Sequence, residues 1–188
     1  MTRVMRDGRM AEVGTIGREG VVGFAAGFGE DRATSDAMVR IPNGGAETMS
    51  VRAFRSEMER QGALFRLVTR FMHASHLMVA QLVACNALHS AEERCARSLV
   101  LSHDRVGRNN FKLSHEFLAV MLGVRRPTAT IVAGALQRAG HISYKRGQMK
   151  ILNRRGLEQA SCECYRTMQE HYERLLPGGL PLWGAQPR

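Results

Sequence analysis

Apolar residues repeat at helical spacing through the middle of the chain. Leu64, Phe71, Met78 and Cys85 recur every seven residues, and further apolar side chains fill the turns between them. Because neither proline nor glycine interrupts the repeat, the pattern predicts one continuous helix over residues 64–88. Such a helix spans roughly 37 Å at 1.5 Å per residue.

A second apolar edge, made of Met72, Val79 and Val83, lies beside the first on this helix. Two edges indicate two packing partners, which we expect to be the segment before the helix and a second copy of the helix. A core helix with a single partner is the alternative. The polar residues Ser75 and Gln81 interrupt the apolar surface of the helix, so the pattern does not imply an isolated coiled coil.

The segment before the helix follows a different pattern. Glycine and β-branched residues are frequent there, and residues 12–17 and 38–42 are predicted to form short strands bounded by turns. About fifty residues bury too little surface for a stable β-fold of their own. We therefore expect this piece to need a partner surface, or to be what remains of a longer domain.

Helix and turn signals alternate after residue 90. Ser90 and Glu93 form a capping box that begins a helix running to about Asp104, and a polar loop follows over residues 106–110. Pro177 ends a last amphipathic helix, which begins near Gly156. Residues 177–188 are predicted to be a disordered tail.

Residues 112–152 are predicted to be one compact unit. Ser114 caps a short helix that ends at Gly123. A second helix has Pro127 at its first position and runs to about Ala139. Two strands, 141–144 and 148–152, then flank the basic tip at residues 145–147. Helix, four-residue turn, helix and basic hairpin is the pattern of a winged helix-turn-helix.

Charge is concentrated in the same part of the chain. The protein has a net charge of +10, and residues 105–155 hold eleven basic residues and a single acid, Glu116, so that the rest of the chain is neutral. A basic segment on a neutral body is expected of a polyanion binder. The alternative is a basic surface that binds no polyanion. Membrane-surface binding is less favoured, because the segment is not one amphipathic helix.

Two sets of residues are candidates for DNA contact. Arginine can bond guanine O6 and N7 with two hydrogen bonds, and threonine can bond a phosphate or touch a thymine methyl group. The candidates for base contact, at the start of the second helix, are Arg125, Arg126, Thr128 and Thr130. The candidates for phosphate contact, at a helix N-terminus and on the hairpin, are Ser114, Lys145, Arg146 and Lys150.

From Val13 onward the chain resembles the Crp/Fnr-type transcription regulators. Three segments carry the resemblance: residues 16–23, residues 84–88 and, most specifically, residues 118–128. The resemblance implies an α+β protein with a partial β-barrel sensor piece, similar to a cyclic-nucleotide-binding domain, and a winged helix-turn-helix. The expected domains are the sensor over 1–60, a dimerisation helix over 61–89, the DNA-binding domain over 90–176 and a tail over 177–188.

This resemblance also implies a function. A homodimer formed through the long helix would bind double-stranded DNA at a palindromic operator, with half-sites about 34 Å apart, and activate or repress transcription. RNA polymerase is a further partner to consider. Arg126 matches the family's first base-reading arginine, whereas Pro127 and Ile131 replace polar residues at the next two reading positions. The operator should therefore differ from that of the cyclic-AMP receptor protein.

The chain departs from the family in its sensor. Only the second half of a sensor barrel is present. Ser35 and Asp36 stand where the cyclic-nucleotide members place an Arg-Ser/Thr pair, and an acid there would repel a phosphate. Arg32 could substitute only if the register slips. We expect neither cyclic AMP nor another cofactor, and the N-terminal cysteine cluster of the iron–sulfur members is absent.

No metal site is expected either. The four cysteines are too few for a disulfide scaffold, so reduced thiols are predicted. Cys162 and Cys164, two apart on a predicted helix, would lie on different faces, which disfavours a disulfide or a zinc clip. His73 and His76 are expected to be surface residues, because no cysteine or carboxylate lies in register with them.

Two other functions are weighed against a DNA-binding regulator. A degenerate sensor module could pair with a full-length relative and withhold it from DNA. An enzyme is disfavoured, because no catalytic constellation rises above chance. No stretch approaches the ~20 continuous apolar residues of a membrane helix, and the N-terminus lacks a secretory signal, so a cytoplasmic protein is predicted.

Overall fold

A computed structural model describes residues 1–33, 35–39 and 45–176 of the chain. Small sheets and many helices make an α+β fold, as the sequence predicts. The strands are β1 Thr2–Val4, β2 Met10–Glu12, β3 Asn110–Lys112, β4 Ile142–Lys145 and β5 Gln148–Ile151. The α-helices are α1 Val51–Glu59, α2 Ala63–Leu88, α3 Ala91–Val106, α4 His115–Leu122, α5 Arg126–Arg138, α6 Arg154–Gln159 and α7 Cys164–Leu175.

The N-terminal segment differs from the predicted strands. Strands β1 and β2 form an antiparallel hairpin, and only Glu12 of the strand predicted over 12–17 lies in it. Met38 and Val39 are not in a strand, and residues 40–42 lie outside the described part of the chain. A Cβ atom on Gly20 would stand 2.3 Å from the Phe71 ring, so the glycines let an irregular backbone lie directly on α2. No closed barrel forms among the described residues 1–60.

The long helix α2 is confirmed within one residue of its predicted start. Its buried side chains lie on one edge, where Ala74 and Met78 form a cluster with Met168 and Tyr172 of α7. Its second apolar edge is largely open: Met72 is half-buried, and Val79 and Val83 are 45% and 67% exposed. The helix before it, α1, was not predicted; the Ser50 side chain caps it by accepting a hydrogen bond from the amide of Ala53. Gln61, with a φ of 52°, separates the two helices.

Helix α2 is long and apolar enough to cross a membrane by length and composition. Among the described residues α4 and α5 would meet the same criterion only as one span bent by 99°. Core helices of globular domains satisfy it as well, and one edge of α2 packs against α7.

The C-terminal half folds around one core. Helices α3, α4 and α5 pack with a three-stranded antiparallel sheet of order β3-β5-β4. The capping box of Ser90 and Glu93 is confirmed, and α3 continues to Val106, where Gly107 ends it with a φ of 66°. Strand β3, which the sequence did not predict, begins at Asn110, the last residue of the predicted polar loop, and its Phe111 is buried opposite Met149 of β5.

Three boundaries near the core are corrected. Pro127 is the second residue of α5 rather than the first, since Arg125 is the N-cap. The hairpin turn has two residues, Arg146 and Gly147, both with positive φ, so Lys145 belongs to a strand. The single last helix predicted from Gly156 is two helices, α6 and α7.

The break between α6 and α7 changes the placement of two cysteines. Cys162 lies before α7 and Cys164 is its first residue, so the prediction that the two thiols lie on different faces of one helix is wrong. Both meet Cys85 of α2 in a small buried cluster. A hydrogen bond from Cys85 lowers the pKa of the Cys162 thiol, and the same contact, together with burial, raises the pKa of Cys85.

Candidate nucleic-acid interface

The helix-turn-helix is built from local signals. The Ser114 side chain accepts a hydrogen bond from the amide of Phe117 at 3.1 Å and thereby caps α4. Gly123 ends α4 with a φ of 64°, a left-handed conformation that favours glycine. Helix α5 then leaves at 99° to α4 and buries Val132 and Leu136. This geometry leaves the N-terminal turn of α5 at the surface.

Arg125, Arg126 and Thr128 are exposed on this turn. Nε of Arg126 lies 3.0 Å from Oε1 of Glu116, and both side chains are more than 60% exposed. The Thr130 hydroxyl donates to the carbonyl of Arg126 at 3.1 Å and lies 3.1 Å from Nδ1 of His115. Because this hydroxyl already has partners in the protein, the Thr130 methyl group is the part left to face a ligand.

Ile131 is an unusual residue for the surface of this helix. It is 68% exposed and directly follows Thr130. Exposing a large aliphatic side chain to water contributes nothing to folding stability. In a major groove, however, such a side chain can contact a thymine methyl group. The exposure of Ile131 is compatible with the reading position that the resemblance assigns to it.

The β4–β5 hairpin presents its basic residues to solvent. Lys145, Arg146 and Lys150 are all exposed. Tyr144 fixes the hairpin to the helices: its amide donates to Oε1 of Gln137 at 2.6 Å, and its hydroxyl donates to the carbonyl of Leu113 at 2.8 Å. Burial, followed by the charge of Glu116, raises the pKa of this tyrosine.

The Tyr144 ring also stacks on His115, with the ring centroids 4.4 Å apart. One aromatic side chain therefore links the hairpin to the first turn of α4 and to the end of α5. The positioning roles of His115, Gln137 and Tyr144 were not predicted from the sequence. The aromatic residue in a basic hairpin was the signal that could have pointed to this role.

Not all of the basic segment is available to a ligand. Nε of Arg105 lies 3.0 Å from Oε1 of Glu19, and both side chains are nearly buried. Nη1 of Arg154 lies 2.6 Å from Oδ1 of the buried Asp104. These two arginines stabilise the fold. The exposed basic residues are Arg108, Lys112, Arg125, Arg126, Arg138, Lys145, Arg146, Lys150 and Arg155.

Residues 93–160 match the family model described as the Crp-like helix-turn-helix domain. This range runs from α3 through α6 and contains all eight predicted DNA-contact residues. The C-terminal half therefore contains a Crp-like helix-turn-helix domain, as the resemblance implies. A search of curated proteins finds no match to the chain.

Solved structures extend the likeness to the fold of most of the chain. A transcriptional regulator of the CRP/FNR family from Thermus thermophilus has a TM-score of 0.62 at 19% identity, covering 85% of this chain and 81% of that chain. A CRP-family regulator from the same organism has a TM-score of 0.63 at 20% identity, with the same coverage. At these identities the comparison shows a shared fold.

A crp/fnr-family regulator from Eubacterium rectale is also similar, at 24% identity and a TM-score of 0.48. The match covers 57% of this chain and 50% of that chain.

Proposed function

From its Crp-like helix-turn-helix domain, we propose that this protein is a homodimeric regulator of transcription that binds a palindromic DNA operator. One observation carries the proposal: the exposed first turn of α5, with Arg125 and Arg126, adjoins a rigidly anchored basic hairpin within that domain. A helix terminus of this kind fits a major groove, and a basic wing fits the flanking phosphates. The protein would act on DNA in the cytoplasm.

Arg126 is proposed to read guanine. Its contact with Glu116 is made through Nε, and the guanidinium carries two further nitrogens at its end. Those nitrogens can donate to guanine O6 and N7 together. Glu116 is then a positioning residue, which restricts the rotamers of Arg126 before DNA arrives.

The remaining candidates divide between bases and phosphates. Arg125 and Thr128 share the exposed first turn of α5 with Arg126, where they can reach base edges or the adjacent backbone. Ser114, at the N-terminus of α4, offers a phosphate the positive end of a helix dipole. Lys145, Arg146 and Lys150 would neutralise phosphates on the outer side of the groove.

Dimerisation is proposed through the open edge of α2. Met72, Val79 and Val83 leave a partly exposed apolar stripe on a helix whose other edge is already packed. A two-fold axis along this stripe would present two copies of α5 to successive major grooves about 34 Å apart. Contact of the bound dimer with RNA polymerase stays a prediction.

The test is selection of duplexes from a random library by the full chain at physiological salt, followed by binding titrations with the selected sequence. We expect enrichment of a palindrome whose half-sites are one helical turn apart, bound by a dimer in light scattering. A chain that selects no sequence, or that prefers heparin to every duplex, would contradict the proposal. A chain that instead pairs with a full-length relative and removes it from DNA would support the alternative of a degenerate interaction module.

A further inference from the structure

Four potential metal ligands meet where α2 ends and α7 begins. Cys85 and His89 come from the C-terminal end of α2, and Cys162 and Cys164 come from the turn that leads into α7. Their ligand atoms all lie within 4.8 Å of one another. The three cysteines are at most 4% exposed. Four convergent soft and imidazole ligands in a closed space form a complete donor set.

The distances inside this group suit a tetrahedral ion. Cys85 Sγ lies 3.5 Å from Cys162 Sγ, and Cys164 Sγ lies 3.6 Å from Nδ1 of His89. Zinc–sulfur bonds of about 2.3 Å and zinc–nitrogen bonds of about 2.0–2.1 Å place two tetrahedral sulfurs about 3.8 Å apart, and a sulfur and a nitrogen about 3.5 Å apart. Both contacts are therefore close to the edges of such a tetrahedron.

Outer partners hold the ligands in place. Nε2 of His89 lies 3.3 Å from Oε2 of Glu163, which leaves Nδ1 on the side of the cysteines. Nε2 of Gln81 donates to Cys164 Sγ at 3.0 Å, a contact that suits a thiolate. A carboxylate on the far nitrogen of a ligating histidine is the usual outer partner in zinc sites.

We propose that Cys85, His89, Cys162 and Cys164 form a structural Zn²⁺ site that fastens the end of α2 to the start of α7. Three thiols and one imidazole fill all four positions, so no position is left for a reacting water. Hard cations such as Mg²⁺ and Ca²⁺ prefer oxygen ligands and are not expected here. Binding forms three Zn–S bonds and one Zn–N bond, and the three thiol protons leave to solvent.

The site runs against the expectation that the sequence holds no metal. Cys85 and His89 are four apart at the end of a helix, a spacing that places both on one face. The sequence predicts Cys162 and Cys164 inside a helix, where two-residue spacing separates the side chains. The break before α7 instead lets both turn toward α2.

The first test uses the full chain, purified in reductant without chelator, and zinc and cobalt as the probes. Elemental analysis should find one Zn²⁺ per chain. After removal of the metal, Co²⁺ should bind with the visible absorption of a tetrahedral thiolate complex, and added Zn²⁺ should displace it. Zn²⁺ should also raise the midpoint of thermal unfolding, because it binds the folded state preferentially.

Variants distinguish this site from adventitious binding. Cys162→Ser should abolish stoichiometric zinc, whereas Cys95→Ala, which alters a buried cysteine of α3 outside the cluster, should retain it. Glu163→Gln should weaken zinc about 10–100-fold by removing the outer carboxylate. His89→Cys should keep the metal and shift the cobalt spectrum toward that of a four-sulfur site.

Several results would overturn the proposal. The chain could bind no metal at one equivalent, or Cys95→Ala could lose as much zinc as Cys162→Ser. Mass spectrometry could instead find a Cys85–Cys162 disulfide in the native protein prepared without reductant. Should Cys162→Ser fail to fold, Glu163→Gln and His89→Cys still decide the matter, because Glu163 is 77% exposed and His89 lies at the edge of the cluster.

Discussion

Arg126 illustrates how one side chain is prepared for a ligand by its neighbours. The turn at Gly123 places it at the first position of α5, and Glu116, from the first turn of α4, holds its Nε. An exposed ion pair of this kind contributes little to folding stability. Under the proposed function the pair would act through orientation, because Arg126 would lose fewer rotamers on binding a base.

Replacing this arginine should remove one base contact. We expect Arg126→Ala to weaken binding to the selected operator by about 1–3 kcal/mol and to relax the preference at one base pair in each half-site. Fluorescence anisotropy with the operator and its single-base variants would measure both effects.

The matched control is Arg138→Ala, which removes an exposed arginine from the last turn of the same helix. It should leave the base preference unchanged. Equal losses of affinity for the operator and for random DNA in Arg126→Ala would show that Arg126 does not read a base.

At this scale the sequence predicted candidate residues for DNA contact but not their partners within the protein. The candidates for DNA contact followed from turn and cap signals, which are local. The contacts of Thr130 with His115, and of Tyr144 with Gln137 and Leu113, join residues that are 7 to 31 positions apart. Such contacts depend on how α4, α5 and the hairpin pack, which no periodicity encodes.

At the scale of elements, the basic residues of the β4–β5 hairpin are expected to contact DNA phosphates. Each phosphate contact releases condensed counterions, so losing one contact reduces the salt dependence of binding. We expect Lys145→Ala to weaken binding to all duplexes and to reduce the slope of log K against log salt by about one unit. Titrations across a series of salt concentrations would measure the slope; an unchanged slope would argue against a contact between the wing and a phosphate.

The junction of α3 and α6 is held by a buried ion pair. Arg154 contacts Asp104 at 2.6 Å, and the Tyr165 hydroxyl donates to the same carboxylate at 3.1 Å. Burial raises the pKa of Asp104, and the arginine opposes that rise. Arg154→Met would strand a buried carboxylate, so it should cost about 3–5 kcal/mol of unfolding free energy at neutral pH, measured by urea denaturation.

The stability cost of Arg154→Met should depend on pH, in a direction set by the pKa of Asp104. Without Arg154, the pKa of folded Asp104 lies still higher above its unfolded value. The folded state then binds a proton as pH falls through that raised pKa, while the unfolded chain stays ionised, so the cost of Arg154→Met should shrink as pH falls below neutral.

Two controls accompany this measurement. Asp104→Asn combined with Arg154→Met lacks the carboxyl and should lose the pH dependence. Arg60→Ala breaks an exposed pair with Glu57 and should change stability by less than about 1 kcal/mol. A cost for Arg154→Met that stays constant with pH would contradict the assignment to Asp104.

Elements with strong local signals were predictable. Caps and heptad spacing located α2, α3, α4 and α5 to within a few residues. The N-terminal strands were not, because alternation and glycine are compatible both with a strand and with an irregular chain lying on a helix. The tertiary contact between Gly20 and Phe71 decided in favour of the second.

For the whole molecule, α2 is the element that links the N-terminal segment to α7. Its packed edge contacts α7 and the N-terminal segment, and the internal pair of Arg105 with Glu19 ties that segment to α3. The sequence predicted both apolar edges of α2 and a partner for each. The structure places α7 and the N-terminal segment on the packed edge, and the second copy of the chain stays a prediction for the open edge.

A charge in the open edge should separate the two copies. Val83 is 67% exposed on α2, and in a two-fold dimer Val83→Arg would introduce two like charges into one apolar interface. Burying such charges unpaired costs several kcal/mol, so the dimer dissociation constant should rise at least about 100-fold. Operator affinity should fall as the dimer dissociates, because a monomer reaches a single half-site.

Light scattering would measure the dimer dissociation constant, and fluorescence anisotropy would measure operator affinity. The control is Val39→Arg, which changes an exposed valine outside α2 and should remain dimeric. If Val83→Arg stays dimeric and binds the operator normally, the subunits meet elsewhere.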